Sequence, residues 1–235
     1  MTTRSRISIL AVLTLAIAAL VAPSANAAAT RYITISSQGS VKVTPDAARI
    51  TATSTNVAPT SKEALAATAQ TSAAVRAALT AEKIDRKDIA TQSVTVYPEY
   101  KYATDGTSSI IGYRASQNFT IVVRDAMNAG DVVDAMVAAG GDSLQLNGAT
   151  PFVLDNTKAA TAARTVAVKN ARAKAASYAS LLGVKLGKVN YLVENSAPTP
   201  YVPVMAVSKA ESDATIIDLG QQDVTVSVTV QWSLL

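Results

Sequence analysis

The chain has no cysteine and no histidine. The first absence removes thiol catalysis, thiolate metal sites and lipid attachment through an N-terminal cysteine. It does not argue against export, because a chain of this size needs no disulfides to hold a core. The second removes the usual general base, the Ser-His-Asp triad and most transition-metal sites. No G-x-x-x-x-G-K-[ST] or G-x-G-x-x-G run is present, so there is no phosphate cradle for a nucleotide. Asp85, Asp88, Asp125, Asp131, Asp134 and Asp142 are scattered, and no D-x-D-x-D-G run gathers acids into a calcium loop. Neither a metal nor an organic cofactor is therefore expected. Hydrolysis is left with Ser, Lys and Asp, and the separation of a catalytic carboxylate pair, roughly 5–10 Å, is a tertiary property.

Long apolar runs are also missing. The longest, Ile7 to Ala22, is roughly 16 residues, short of the ~20 that span a bilayer. Arg4 and Arg6 precede it, and Ala25-Asn26-Ala27 supplies a small-x-small cleavage pattern. Residues 1–27 are thus expected to be a Sec-type signal peptide cleaved after Ala27, with residues 28–235 forming a single domain. The Arg-Ser-Arg spacing does not fit a twin-arginine signal. Losing Arg4 and Arg6 takes the basic count from 21 to 19 against 17 acids, so the mature chain of 208 residues carries a net charge of +2. That surface lacks the basic excess of a nucleic-acid binder, and no nucleic-acid partner is expected.

Periodicity predicts the elements. Arg31–Ser37 alternates as a strand, Gly39 breaks it, and Val41 and Val43 continue to the Pro45-Asp46 turn. Residues 48–57 form a second strand with Ile50, Ala52, Ser54 and Asn56 on one face. Thr60 or Ser61 caps a helix running to about Lys83, with Leu65, Thr68 or Ala69, Ser72, Val75 and Leu79 on its buried side. A third strand carries Val94, Val96, Tyr100 and Tyr102, with Pro98 marking an edge or bulge. Asp105-Gly106 turns the chain into a fourth strand, residues 110–123. A short helix over 128–139, a strand over 144–154 and an alanine-rich helix over 157–182 follow. The last helix places Ala163, Ala167, Ala171, Tyr178 and Leu181 on one side, as a packing stripe. A strand at 188–194, a proline-rich loop over 195–214, and a final strand over 215–235 with Val224, Val226, Val228 and Val230 on one face complete the chain. The order is β-β-α-β-β-α-β-α-β-β. It implies an α+β fold, mainly antiparallel sheet with helices packed on one face.

Thr91 to Asn118 concentrates four tyrosines on the arms of one long hairpin: Tyr97, Tyr100, Tyr102 and Tyr113. Tyrosine offers contact area at little entropic cost, so these four are the candidate interface; cross-strand packing within the hairpin is the competing use of the same rings. With regular pairing Tyr97 faces away from Tyr100 and Tyr102, whereas a register shift at Pro98 changes that facing. Lys158, Lys169 and Arg172 fall within roughly 60° of one another on an ideal helix. They suit either a solvated face or an acidic partner or membrane. The segment Ala197–Val204 is either a recognition stretch or a crossover loop.

These residues resemble the SIMPL-domain (DUF541) family of bacterial periplasmic and secreted proteins. The resemblance runs from Ile33 to Leu235. It is carried by Gly39 before Pro45-Asp46, Glu63-Ala64, Asp88-Ile89, Thr91, the Tyr97–Tyr102 run, Gly112-Tyr113 and Asn118. The alanines Ala159, Ala163, Ala167, Ala171 and Ala175 follow, with Leu182-Gly183 and Leu186-Gly187. No single motif is specific; their order is. The resemblance implies an envelope protein without established enzymatic activity. Members include immunogenic proteins, proteins linked to stress tolerance, and proteins that assemble into oligomers. The expectation is a periplasmic or secreted homo-oligomer acting through its surfaces, with membrane contact at most peripheral. A binding module for a cell-envelope glycan and a hydrolase using Ser, Lys or Asp are the alternatives.

Overall fold

The computed structural model describes residues 31–195, 199–201 and 215–235. The expected signal peptide and its cleavage site at Ala27 lie outside them, as does most of the proline-rich loop. The elements are β1 (Tyr32–Val43), β2 (Ala47–Ala58), α1 (Ser61–Ala81), β3 (Ile89–Tyr102), β4 (Ser108–Val123), α2 (Ala129–Gly140), β5 (Leu144–Phe152), α3 (Thr157–Leu181), β6 (Leu186–Glu194), β7 (Thr199–Tyr201) and β8 (Gln222–Leu234). The order matches the periodicity, with the short β7 added inside the proline-rich segment.

The strands form two antiparallel sheets. One has the order β3-β4-β2-β5; in the other β8 is central, with β1 on one side and β6 followed by β7 on the other. Alternation reports which face of a strand is buried, not which strand it pairs with, so the division into two sheets is not visible in the pattern. Nor do the sheets correspond to consecutive halves of the chain, because β1 pairs with β8 over its full length.

Each sheet is backed by helices on one face. Ala48, Ile50 and Ala52 of β2 and Phe119, Ile121 and Val123 of β4 pack with Val75 and Leu79 of α1 and Val132, Val133 and Met136 of α2. Thr60 caps α1 reciprocally with Glu63, as the Thr-x-x-Glu spacing requires. The polar interruptions on α1 are buried and satisfied: Thr68 Oγ1 donates to the Ala115 carbonyl (3.1 Å), and the Ser54 and Ser72 hydroxyls lie 2.8 Å apart. Leu65, expected on that face, is exposed, and Ala64 takes its place.

The second sheet lies under α3, whose Ala163, Ala167, Ala171 and Ala175 meet Val226, Val228, Val230 and Trp232 of β8. The stripe continues through Ala179, whereas Tyr178 and Leu181 are exposed. Spacing by four advances ~40° per step on an ideal helix, so the buried stripe winds around α3 from Ala163 to Ala179; Tyr178 and Leu181 share the facing of Ala163 and Ala171, but lie at the end of the helix where the buried stripe has turned away from that facing. Gly39 does not break β1. A Cβ there would fall well inside 3.0 Å of the Ala163 carbonyl oxygen and the Ala167 nitrogen, so the missing side chain is what admits the helix.

Hydrogen bonds tie the connecting segments and the two sheets to one another. The Asp46 carboxylate accepts from the Leu154 amide (2.8 Å), the Asp46 carbonyl accepts from the Ala126 amide (3.1 Å), and Gln222 Nε2 donates to the Pro151 carbonyl (2.7 Å). The segment before β8 is tied to α2, where Thr215 donates from its amide (3.0 Å) and its hydroxyl to Asp134.

Candidate functional site

The tyrosine hairpin is built by β3 and β4, paired along almost their whole length. β3 is the edge of its sheet, which explains how Pro98 is tolerated: its missing N–H costs no interior ladder bond. A bulge also falls here, between Glu99 and Tyr100, where Ile111 is the extra residue on β4. Asp105 and Gly106 make the turn. Gly106 has φ 84°, and Asp105 accepts from the Thr107 amide (2.9 Å) and hydroxyl (2.7 Å). Those two bonds lower the Asp105 carboxyl below its ordinary range.

Register distributes the four tyrosines. Tyr97 stands opposite Arg114, and Pro98 opposite Tyr113. Because the extra residue sits on β4, the two-residue alternation of β3 is unbroken from Tyr97 to Tyr102. Tyr100 and Tyr102 therefore share the Pro98 side, with ring centroids 6.4 Å apart, while Tyr97 lies on the other. Tyr97 (64%) and Tyr102 (76%) are well exposed, Tyr100 is exposed, and Tyr113 is half-buried. The structure thus supplies three exposed rings and one rooted ring. Ile110 and Ile111, which the sequence reading did not single out, are exposed beside them. Their signal was an apolar pair directly after a turn, on a strand whose far end enters the core.

On the Tyr97 side the sheet face is polar. Arg114 donates two hydrogen bonds of 2.9 Å to Glu99, holding the Glu99 carboxyl below its ordinary range. Beyond it a depression of about 560 Å³ is lined by Thr53, Thr55, Arg114, Ser116, Asn118 and Gln145 among others. A second, of about 720 Å³, lies along the free edge of β1 beside α3, where Asn170 donates to the Gln38 carbonyl (3.1 Å) and Lys174 is a neighbour. Several lining hydroxyls bond to other hydroxyls or to amides: Ser36 to Thr229 (2.9 Å), Thr55 to Ser116 (3.1 Å), Thr53 to Asn118 (2.6 Å). A serine nucleophile needs a base at that distance instead. Among the described residues every carboxyl with a displaced pKa is moved down, each first by a hydrogen-bond donor: Arg124 at Asp88, Arg114 at Glu99, Thr107 at Asp105, Thr215 at Asp134, Thr157 at Asp155 and Arg164 at Glu194. That pattern holds carboxylates ionised, the opposite of what a general acid requires. Among the described residues no three acids cluster as a metal site. Lys158, Lys169 and Arg172 are all exposed on α3.

Two helix-backed antiparallel sheets, one of them with an exposed aromatic edge hairpin, define an α+β protein. Residues 33–232 match the SIMPL family, described as a protein of unknown function (DUF541), and the chain belongs to that family. It is 29% identical over 215 residues to the 26 kDa periplasmic immunogenic protein of Brucella melitensis, covering 86% of this chain and 84% of that one. It is 32% identical over 194 residues to the uncharacterized protein YggE of Escherichia coli K12, covering 78% and 74%. YggE of Edwardsiella ictaluri is 28% identical over 200 residues, covering 81% and 80%. Among the described residues no helix is long and apolar enough to cross a membrane.

Proposed function

We propose that this is an exported cell-envelope protein without enzymatic activity, and that its β3–β4 hairpin joins copies of the chain into a homo-oligomer. The exposed set Tyr97, Tyr100, Tyr102, Ile110 and Ile111 on an edge hairpin carries the reading. Aromatic residues dominate the energy of protein contacts, and an open sheet edge is a template for another strand. Export is supported by the Arg4–Ala27 segment and by the periplasmic relative. Tolerance of envelope stress is the physiological role the family resemblance suggests. The hydroxyl and carboxylate arrangement described above favours no hydrolytic role.

Light scattering on the purified chain at micromolar concentration tests the assembly. The expected result is a mass above that of one chain, reduced to one chain by Tyr97→Ser with Tyr102→Ser at an unchanged thermal midpoint. A wild-type protein that stays monomeric would falsify the proposal. One observation favours glycan binding as a second reading: Tyr97 stands in register with Arg114, at the rim of the polar depression over Thr53 and Asn118. Binding of cell-wall fragments that Tyr97→Ser abolishes would establish it, and no binding across such a screen would remove it.

A further inference from the structure

One end of the β1-β8-β6 sheet gathers features that the hairpin does not use. β1 begins there, β8 ends there, and α3 ends where β6 begins. Tyr32 pairs with Ser233 and Leu186 with Leu234. Lys185 and Leu235 exchange both backbone hydrogen bonds (2.9 and 2.8 Å), and the Leu234 amide donates to the Arg31 carbonyl (2.9 Å). The end of α3 is satisfied locally, by bonds from Leu182 to Tyr178, Gly183 to Ser180 and Val184 to Ala179. The side chains of Leu181 and Leu182 are therefore not needed to close the helix, yet these residues are 79% and 66% exposed; Tyr178 is exposed one turn before Leu181, and Tyr32 and Leu235 are exposed at the strand ends of the same pole.

The charge at this pole has one sign. The segments 31–45, 157–193 and 224–235 hold nine Lys and Arg and no Asp or Glu. Arg31, Lys185 and Lys188 are exposed at the pole, and none forms an ion pair among the described residues.

We propose that this pole docks on the surface of an anionic phospholipid bilayer. Leu181, Leu182 and the tyrosines enter the headgroup boundary while Arg31, Lys185 and Lys188 face lipid phosphates. Leucines beside long basic side chains are the chemistry of interfacial binding: the apolar groups leave water while the charges stay at the phosphate level. Tyrosine suits the same depth, with an apolar ring and a wet hydroxyl. Position supports the same occupant. The 30 preceding residues carry no charge between Arg6 and Arg31, include the apolar run Ile7–Ala22, and join the fold at Arg31. Before the expected cleavage after Ala27, a chain held at a membrane through them meets the bilayer with this pole first.

The test is co-sedimentation of the purified full chain, its N-terminus determined by mass spectrometry, with vesicles of phosphatidylcholine alone or with about 30% phosphatidylglycerol. Wild type is expected to prefer the anionic vesicles and to lose that preference at high salt. Each basic residue near such a surface contributes roughly fivefold to partition, so Lys185→Glu with Lys188→Glu is expected to weaken binding by at least about 25-fold. Leu181→Ser with Leu182→Ser weakens binding to both vesicles, while Tyr97→Ser with Tyr102→Ser leaves it intact. These pole positions are exposed, and an unchanged thermal midpoint verifies that the variants fold. Three results would overturn the proposal: equal wild-type binding to both vesicles or none; pole variants that bind as wild type, which places binding on residues 1–30 or elsewhere; or pole variants that change the oligomeric mass alone, which assigns the pole to a second copy. The hairpin reading is separable, because its variants change mass and not vesicle binding.

Discussion

Replacing Gly39 with alanine tests the packing of α3 on its sheet. On an ordinary strand Gly→Ala is favourable by ~0.5–1 kcal/mol, because alanine has less backbone entropy to lose. Here the new methyl would fall well inside 3.0 Å of two backbone atoms, the Ala163 carbonyl oxygen and the Ala167 nitrogen, and 2.9 Å from the Val166 carbonyl carbon. None is a side-chain end that can rotate away, so α3 must lift from the sheet along the contact made by Ala163, Ala167 and Ala171. Overpacking of a close-packed core costs typically ~1–3 kcal/mol, and a backbone clash belongs at the upper end. With the intrinsic gain subtracted, a net loss of about 2 kcal/mol is expected, a thermal midpoint lowered by about 4–8 °C for a chain of this length. Urea unfolding should show a lower midpoint at unchanged slope, since the same surface is exposed in both proteins. The double variant Gly39→Ala with Ala163→Gly separates causes. Because the clash is with the helix backbone, truncating the Ala163 side chain should restore nothing. Rescue by that second change, or a Gly39→Ala protein as stable as wild type, would refute the reasoning.

The buried hydroxyl pair offers a cycle: Ser54→Ala or Ser72→Ala alone strands a fully buried hydroxyl and should cost ~1–3 kcal/mol, while the double variant should cost less than the sum, measured by urea denaturation. Acid stability should depend on Asp88, whose carboxylate is 8% exposed and receives Arg124 at 2.7 and 2.8 Å. Arg124 lowers its folded-state pKa, so its stabilisation is present above the unfolded pKa and is lost as pH falls through the folded one. Asp88→Asn should flatten the fall in thermal midpoint between about pH 5 and pH 2, and an unchanged profile would show that the pair contributes nothing.

Much of the architecture was legible where a local rule suffices. The valines of β8 alternate over a run long enough to fix a buried face, and Asp105-Gly106 can make little other than a tight turn. Thr60 and Glu63 are spaced as a reciprocal cap, and the alanines of α3 recur by four. What was not legible depends on partners remote in sequence. Gly39 reads as a breaker until α3 is placed over it, because space, not flexibility, is what the position supplies. Leu65 and Tyr178 read as core by type, but the close approach of helix to sheet leaves room only for the alanines beside them. At the hairpin, Pro98 marked an edge or bulge and the structure has both there, but nothing in the sequence says that the extra residue comes from β4, which is what keeps Tyr97 opposite in facing to Tyr100 and Tyr102.

The pairing of β1 with β8 also sets an order of events. Ser36 and Thr229, hydrogen-bonded across that ladder, are 193 residues apart in the chain. Contacts of such separation form late, since the loop between them must be closed first. The β3-β4-β2-β5 sheet, its strands all drawn from residues 47–152, can assemble while the remainder is still being made. β1, among the first elements to emerge, has no strand to pair with until residues 222–234 arrive. A product truncated ahead of them keeps β1 as an unpaired strand, a form exposed to proteases and to aggregation.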